Sequence, residues 1–559
     1  MKFSEMPYER PDLDALKAQV AALTEQLKAA ESYAAAKETF LAKQELDKHV
    51  ETLSTLSHIR HSIDTRDAFY DGEADFWNAA EPELEEYNQN WTAAMLASPF
   101  RAEFAAEYGE LMFVNAEIAL KTFSPEIIPE LQQENELAQG YEKLLASAQI
   151  PFEGGVYTLS QLTPFKSDPD DARRLAAWKA EGQWYKDNQA ALDEYYDKLV
   201  HLRDSMGRKL GYDGYTELGY YRMGRNCYTK EDVERFREAV QKYLVPVADG
   251  IYREQAERLG KEYPMSFADN ALEFRSGNPR PQGTAEDILA AGRKFYDELS
   301  PETSAFFRMM LDGQLLDVLS TEGKESGGYC TGIPVYGVPF IFANCDGTGS
   351  DVTVYTHELG HGLQGYLSYR SQPLADYVGL SPDLAEVHSK TMELLTLPYA
   401  RDFFGPHAPQ FLTEHRYDFI KELCAFCSIH TFETWLYEHP DASLSQWAEE
   451  FDRTEKVFGR GQNNEPWRQQ VLAGCDLFTN TAIYMFPRYV VSYALSIVCA
   501  QQLKAAYDAD PVDGWARYHA LCASGGSKLY AETLAAAGLE LPYAPGVVER
   551  LARELAAQA

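Results

Sequence analysis

The run Thr356-His357-Glu358-Leu359-Gly360-His361-Gly362 constrains this chain more than any other segment. Two histidines four residues apart stand one turn apart on a helix, so both imidazoles can reach one metal ion only if the run is helical. Glu358, one position past the first histidine, can flank water at such an ion and take its proton. Gly360 and Gly362 work against the helix, each by about 1 kcal/mol relative to Ala. Their presence predicts a second helix packed tightly at that point, the one that brings a third ligand. The run follows a β-like stretch and a glycine-rich turn, and Ser350-Asp351 marks the expected helix start.

A hydrolytic zinc site takes three protein ligands and leaves a fourth position open. Gln364 and Leu367 stand where a three-histidine pattern would need Gly and His, so the third ligand lies elsewhere. Downstream, SPDLAEVHSKTMELL offers Asp383, Glu386, His388 and Glu393. Glu386 and Glu393 are seven residues apart, two helical turns, and share a face. One can bind the ion while the other braces a ligand histidine. We take Glu386 as the ligand and Glu393 as the brace.

At 559 residues the chain is too long for one simple core. Leu13, Leu16, Val20, Leu23 and Leu27 form the apolar seam of an amphipathic helix. Helical patterning continues to about residue 150, where PFEGGVYTLSQLTP breaks it with a short β-like run. Helices are expected from Ser167 to about Met206, after a capping pair Thr229/Asp232, over 284–318, and over 351–370, 381–405, 409–438, 443–458 and 465–506. The convincing β region is GGYCTGIPVYGVPFIFANCDGTG, read as two or three short strands. The fold class is therefore mainly α with a small sheet beside the HExxH helix.

The formal net charge is −35, which argues against nucleic acid or an anionic bilayer as partner. Eight cysteines without framework spacing indicate a reducing compartment. Cys424 and Cys427 read as buried helical residues. The first residues lack the pattern of a secretory leader, and Tyr489–Ala500 is too short to span a bilayer, so a cytoplasmic protein is expected.

These motifs resemble the zinc oligopeptidases that include thimet oligopeptidase, neurolysin and bacterial oligoendopeptidase F. The likeness to the oligoendopeptidase F branch runs from about residue 150 to 500 and is densest over GGYCTGIPVYGVPFIFANCDGTGSDVTVYTHELGHGLQ. In that family the third zinc ligand is a glutamate 25 residues past the second histidine, which is Glu386 here. A second acid seven residues later corresponds to Glu393. The family also aims tyrosines at the scissile carbonyl from a late helix, and MFPRYVVSYALS supplies Tyr489 and Tyr493, four apart and expected on one face. Many members carry a histidine about five residues before that segment's proline; this chain has Ala482 there, and His430 is the nearest substitute.

The resemblance implies two helical lobes around a deep channel: an N-terminal helical region over 1–150, a helical channel wall over 151–320, and a catalytic region over 321–559. It implies one zinc ion held by His357, His361 and Glu386. Glu358 would act as the base and Tyr489 and Tyr493 as oxyanion donors, with short unfolded oligopeptides as substrates cut internally. The segment Tyr329 to Thr348 could offer a strand edge to a peptide, with Gly347 and Gly349 allowing close backbone approach. Two other readings stay open. A carboxypeptidase of similar fold would need a cation for the terminal carboxylate, and Arg488 is the obvious one. A peptide-binding protein without catalysis would leave hydrolysis indifferent to chelation.

Overall fold

Side-chain caps set the start of many helices. Asp12 accepts from the Ala15 N–H at 3.0 Å and opens the helix Leu13–Lys28, which buries Leu16, Val20 and Leu27 as its seam predicts. Thr229 and Asp232 form the expected reciprocal box before Lys230–Tyr243. The computed structural model describes residues 1–225, 227–459 and 480–558.

Three expected spans are corrected. The helix from Ser167 to Met206 is two, Asp171–Asp187 and Gln189–Lys209, and it is capped by Asp170. Asn188 breaks it, its Nδ2 donating to the Trp184 carbonyl at 2.8 Å. The 284–318 pair ends at Asp312, and Leu316–Leu319 is a strand. Of the 465–506 span, 465–479 lies outside the described residues. Thr481–Met485 is a short helix, and Val491–Ala509 is the long one. Between them Arg488 takes a left-handed φ of 72°. Tyr489 therefore sits just ahead of the helix that carries Tyr493.

A hairpin pairs β1 (Ile150–Phe152) with β2 (Gly155–Tyr157). A second sheet holds β3 (Leu316–Leu319), β4 (Tyr329–Ile333) and β5 (Val338–Cys345) in the order β3-β5-β4. β5 runs parallel to β3 and antiparallel to β4, with Thr331 opposite Phe340. Pro339 to Ala343 are buried on both faces, as a central strand requires. The buried Lys324 ammonium donates to the carbonyls of Leu319 and Ala343, at 2.8 and 2.6 Å, tying β3 to β5.

Two large apolar clusters dominate the interior among the described residues. One gathers residues from Phe3 to Leu555 around β5, the HExxH helix and the helix Val491–Ala509. The other surrounds Tyr141, Tyr196, Trp447 and Tyr484. The helix Ala408–Glu438 reaches both, giving Leu423 and Cys424 to the first and Phe432 and Leu436 to the second. Cys424 and Cys427 are buried free thiols, as expected. No helix among the described residues is long and apolar enough to cross a membrane.

Of the two glycines of the HExxH run, Gly360 has the predicted cause, while Gly362 instead makes room for Phe306 and Ile341, a Cβ there standing 2.9 Å from the Phe306 ring. A Cβ on Gly360 would stand 2.7 Å from the Ser389 Cα and 2.9 Å from the His388 carbonyl oxygen, both on the helix that carries Glu386. Gly360→Val is therefore expected to destabilise the metal-free protein by about 1–3 kcal/mol, because backbone cannot yield as a side chain does. The denaturant midpoint of the variant checks this; an unchanged midpoint would mean that the two helices are not packed this closely.

Candidate metal centre

His357 and His361 project from the helix Ser350–Ser371, and Glu386 from Pro382–Thr396. One ligand atom from each falls within 4.8 Å of the others. Glu386 Oε2 lies 3.2 Å from His357 Nε2 and 3.7 Å from His361 Nε2. The side chain of Glu386 is 1% exposed, while those of His357 and His361 are 12% and 17% exposed, so the group is reached from the imidazole side. Ser389 Oγ donates to Glu386 Oε2 at 2.9 Å and fixes its rotamer.

The charges of the group are strongly coupled. Burial works against the His357 imidazolium, but Glu386 and Glu393 outweigh it and hold its pKa at about 10. Burial drives His361 down to about 4, leaving a neutral imidazole ready to ligate. Burial opposes ionisation of Glu386, yet His361 and His357 beside it bring its pKa to about 2. An incoming cation would take over the place of the His357 proton.

Glu393 holds the other side of His357. Its Oε1 bonds His357 Nδ1 at 2.6 Å, which leaves Nε2 facing Glu386. Three groups that the sequence did not single out surround it. Lys390 Nζ lies 3.1 Å from Glu393 Oε1 and 3.1 Å from Glu422 Oε2. His415 Nε2 lies 3.5 Å from Glu393 Oε2. The one available signal was Lys390 itself, a cation on an otherwise buried helical face between two acids. Replacing Glu393 with Gln is expected to weaken metal affinity about 10- to 100-fold, as loss of such outer partners does. Competition against a coloured chelator measures this, and an unchanged affinity would remove Glu393 from the ligand-orienting role.

Glu358 is buried, and its Oε2 has no hydrogen-bond partner within the chain. Burial pushes its pKa up to about 7, with His357 opposing the rise and Glu386 and Glu393 adding to it. Gly328, just ahead of β4, faces it: a Cβ there would stand 3.5 Å from Glu358 Oε1. Tyr489 donates its phenol proton to Glu386 Oε1 at 2.5 Å. The Tyr489 and Tyr493 rings lie 5.3 Å apart, and Tyr493 is 6.2 Å from the His357 ring. Burial, reinforced by Glu386, raises both phenols well above their ordinary range, so both remain proton donors.

The other acids and histidines named from sequence lie apart. Asp383 accepts from Ser492 Oγ at 2.8 Å and pairs with Arg225 at 3.6 Å. His388 turns Nδ1 to the Leu384 carbonyl at 2.7 Å. His430 is buried beside Tyr220 and is not one of the clustered ligands. Gly347 and Gly349 stand at the start of the HExxH helix, about two turns before His357. Gly347 takes a φ of 87° and donates its N–H to Asp351. Gly349 leaves room for the Pro279 carbonyl, 2.9 Å from where a Cβ would be.

Residues 301–553 match the family described as Peptidase family M3, and residues 3–123 match the Peptidase M3 N-terminal domain. A solved structure named as an oligoendopeptidase F is 38% identical, with a TM-score of 0.97, covering 100% of this chain and 98% of that one. A structure of PZ peptidase A with an inhibitor is 35% identical, with a TM-score of 0.97, covering 100% and 99%. The curated protein "Oligoendopeptidase F, chromosomal" of Lactococcus lactis subsp. cremoris is 30% identical over 131 residues, which span 23% of this chain and 19% of that protein. With a whole-length match at this identity and a His/His/Glu group built as the motif demands, this chain belongs to peptidase family M3.

Proposed function

We propose that this protein is a zinc-dependent endopeptidase acting on internal bonds of short, unfolded oligopeptides. The observation that carries the reading is the His357–His361–Glu386 group with the unpartnered Glu358 carboxylate buried beside it. Two imidazoles and one carboxylate suit zinc, whereas magnesium and calcium prefer oxygen alone. His357 Nε2, His361 Nε2 and a Glu386 oxygen would hold the ion. When bound, zinc supplies Lewis acidity to the scissile carbonyl and makes water more acidic.

The chain's own residues supply the rest. Glu358 takes the proton of the attacking water at its free oxygen and returns it to the leaving amine nitrogen. Tyr493 donates a hydrogen bond to the developing oxyanion, and Tyr489 joins it by turning its proton from Glu386 Oε1 to that oxygen. Glu393, paired with Lys390, keeps the His357 ring turned toward the ion. β4 is an outer strand and Gly328, just ahead of it, faces Glu358, so a peptide added along that edge would bring backbone to the base. Gly347 and Gly349, at the helix start, would border the same path.

Cutting within the peptide is favoured over a carboxypeptidase by the position of Arg488. Its side chain is wholly buried and bonds Thr434, so it is not open to a substrate's terminal carboxylate. A peptide blocked at both ends is the decisive substrate. Internal cleavage, abolished by chelation and restored by zinc, is expected, together with resistance of folded proteins. Failure to cut any blocked short peptide with zinc bound would overturn the reading.

A further inference from the structure

The interior directly behind Tyr489 holds more cations than its acids can balance, in a chain whose formal net charge is −35. Arg488 Nη1 donates to Thr434 Oγ1 at 3.0 Å, and Arg237 Nη1 donates to the same oxygen at 3.4 Å. That hydroxyl spends its own proton on the His430 carbonyl, 2.8 Å away. Two like-charged guanidiniums thus meet at one neutral atom. Arg225 joins them, donating to the Arg488 carbonyl at 2.7 Å and lying with Arg488 against the Tyr220 ring, at 4.7 and 5.5 Å.

Two carboxylates face these three cations. Asp383 pairs with Arg225 at 3.6 Å. Glu433 uses Oε1 on the Arg488 backbone N–H at 2.8 Å. Among the described residues, no carboxylate comes within 4.0 Å of the Arg237 or Arg488 guanidinium. Among the described residues the three guanidiniums outnumber the two carboxylates, and the surplus falls at Arg237, which is partly exposed while Arg225 and Arg488 are buried; such a surplus is unfavourable without a counter-charge. The same place concentrates polar atoms that find no partner among the described residues: the donors Arg225 Nη1, Arg237 Nε and Arg488 Nε, with His430 Nδ1 and one acceptor, Glu433 Oε2. Buried donors are almost always satisfied, so a cluster of orphaned ones points to an acceptor that is not protein.

We propose that this cluster binds one small monovalent anion of the halide class, held between the guanidiniums of Arg237 and Arg488. A single charge matches the surplus. Arg225 and Arg488 are buried and Arg237 is partly exposed, which favours a small ion that can shed its water over a peptide terminus. A water molecule would satisfy donors but would not offset charge. The site joins two parts of the metal centre: Arg488 immediately precedes Tyr489, and Asp383, bound to Arg225, lies one turn before Glu386.

The test is independent of peptidase activity. The full-length, metal-loaded protein is melted in chloride and in gluconate at equal ionic strength, and crystals grown in bromide are searched for anomalous scattering. The expected result is a bromide peak between Arg237 and Arg488, with a Tm rising by roughly 1 °C per tenfold chloride above its Kd. Arg237→Gln should lose both the peak and the chloride increment. If that variant does not fold, the bromide map of the native protein still decides. A native map with no halide at this place, a Tm indifferent to chloride, or a variant that keeps the increment overturns the proposal.

Discussion

Glu358→Gln is expected to lower kcat/KM by about 10²- to 10⁴-fold, the usual contribution of a positioned general base. Gln keeps the size of the side chain and one acceptor oxygen but cannot take a proton. The fold should not suffer, because the affected Oε2 makes no hydrogen bond within the chain. Metal content should stay at that of the parent, since Glu358 is not among the clustered donor atoms. Steady-state kinetics with metal analysis on the same samples reads both. A variant with near-parental turnover would assign the proton transfers to another group.

Glu386→Gln should fail in the opposite order, losing the ion first and turnover as a consequence. Structural zinc sites gain about 10–16 kcal/mol from four ligands, so one ligand is worth about 3 kcal/mol, roughly two orders of magnitude in affinity. Glu386 also anchors its surroundings. Its Oε2 faces both imidazoles and accepts from Ser389, and its Oε1 accepts from Tyr489. An amide would offer an N–H to one of these neighbours where only acceptors are wanted. Excess zinc should restore part of the activity of this variant and none of that of Glu358→Gln. Metal binding at parental affinity would exclude Glu386 as a ligand.

The metal group was legible because helical periodicity and ligand chemistry act over short stretches. Spacing placed His357 and His361 on one face, and the cost of Gly360 foretold the close helix that in fact carries Glu386. The seven-residue step to Glu393 likewise anticipated the 2.6 Å bond to His357. What the sequence did not disclose depends on residues that meet only after folding. Lys390 is near Glu393 in the chain, but Glu422 and His415 arrive from the separate helix Ala408–Glu438. The strand Leu316–Leu319 carries no alternation of its own; it is a strand because β5 offers it a parallel edge. The left-handed turn at Arg488 is held by Glu433 accepting its N–H, a long-range contact that no local propensity encodes.

The contact of Phe3 with a central strand has a bearing on how the protein is made. Phe3 packs against Phe340 of β5, with ring centroids 4.4 Å apart, and its N–H binds the Gly313 carbonyl at 2.9 Å. A ribosome must therefore deliver residue 340 before residue 3 has anywhere to settle. Until then Phe3 carries an unsheltered ring, and β5 lacks one of the side chains that cover it. Completion of the core beside the HExxH helix is in this way tied to two segments that lie far apart in the chain.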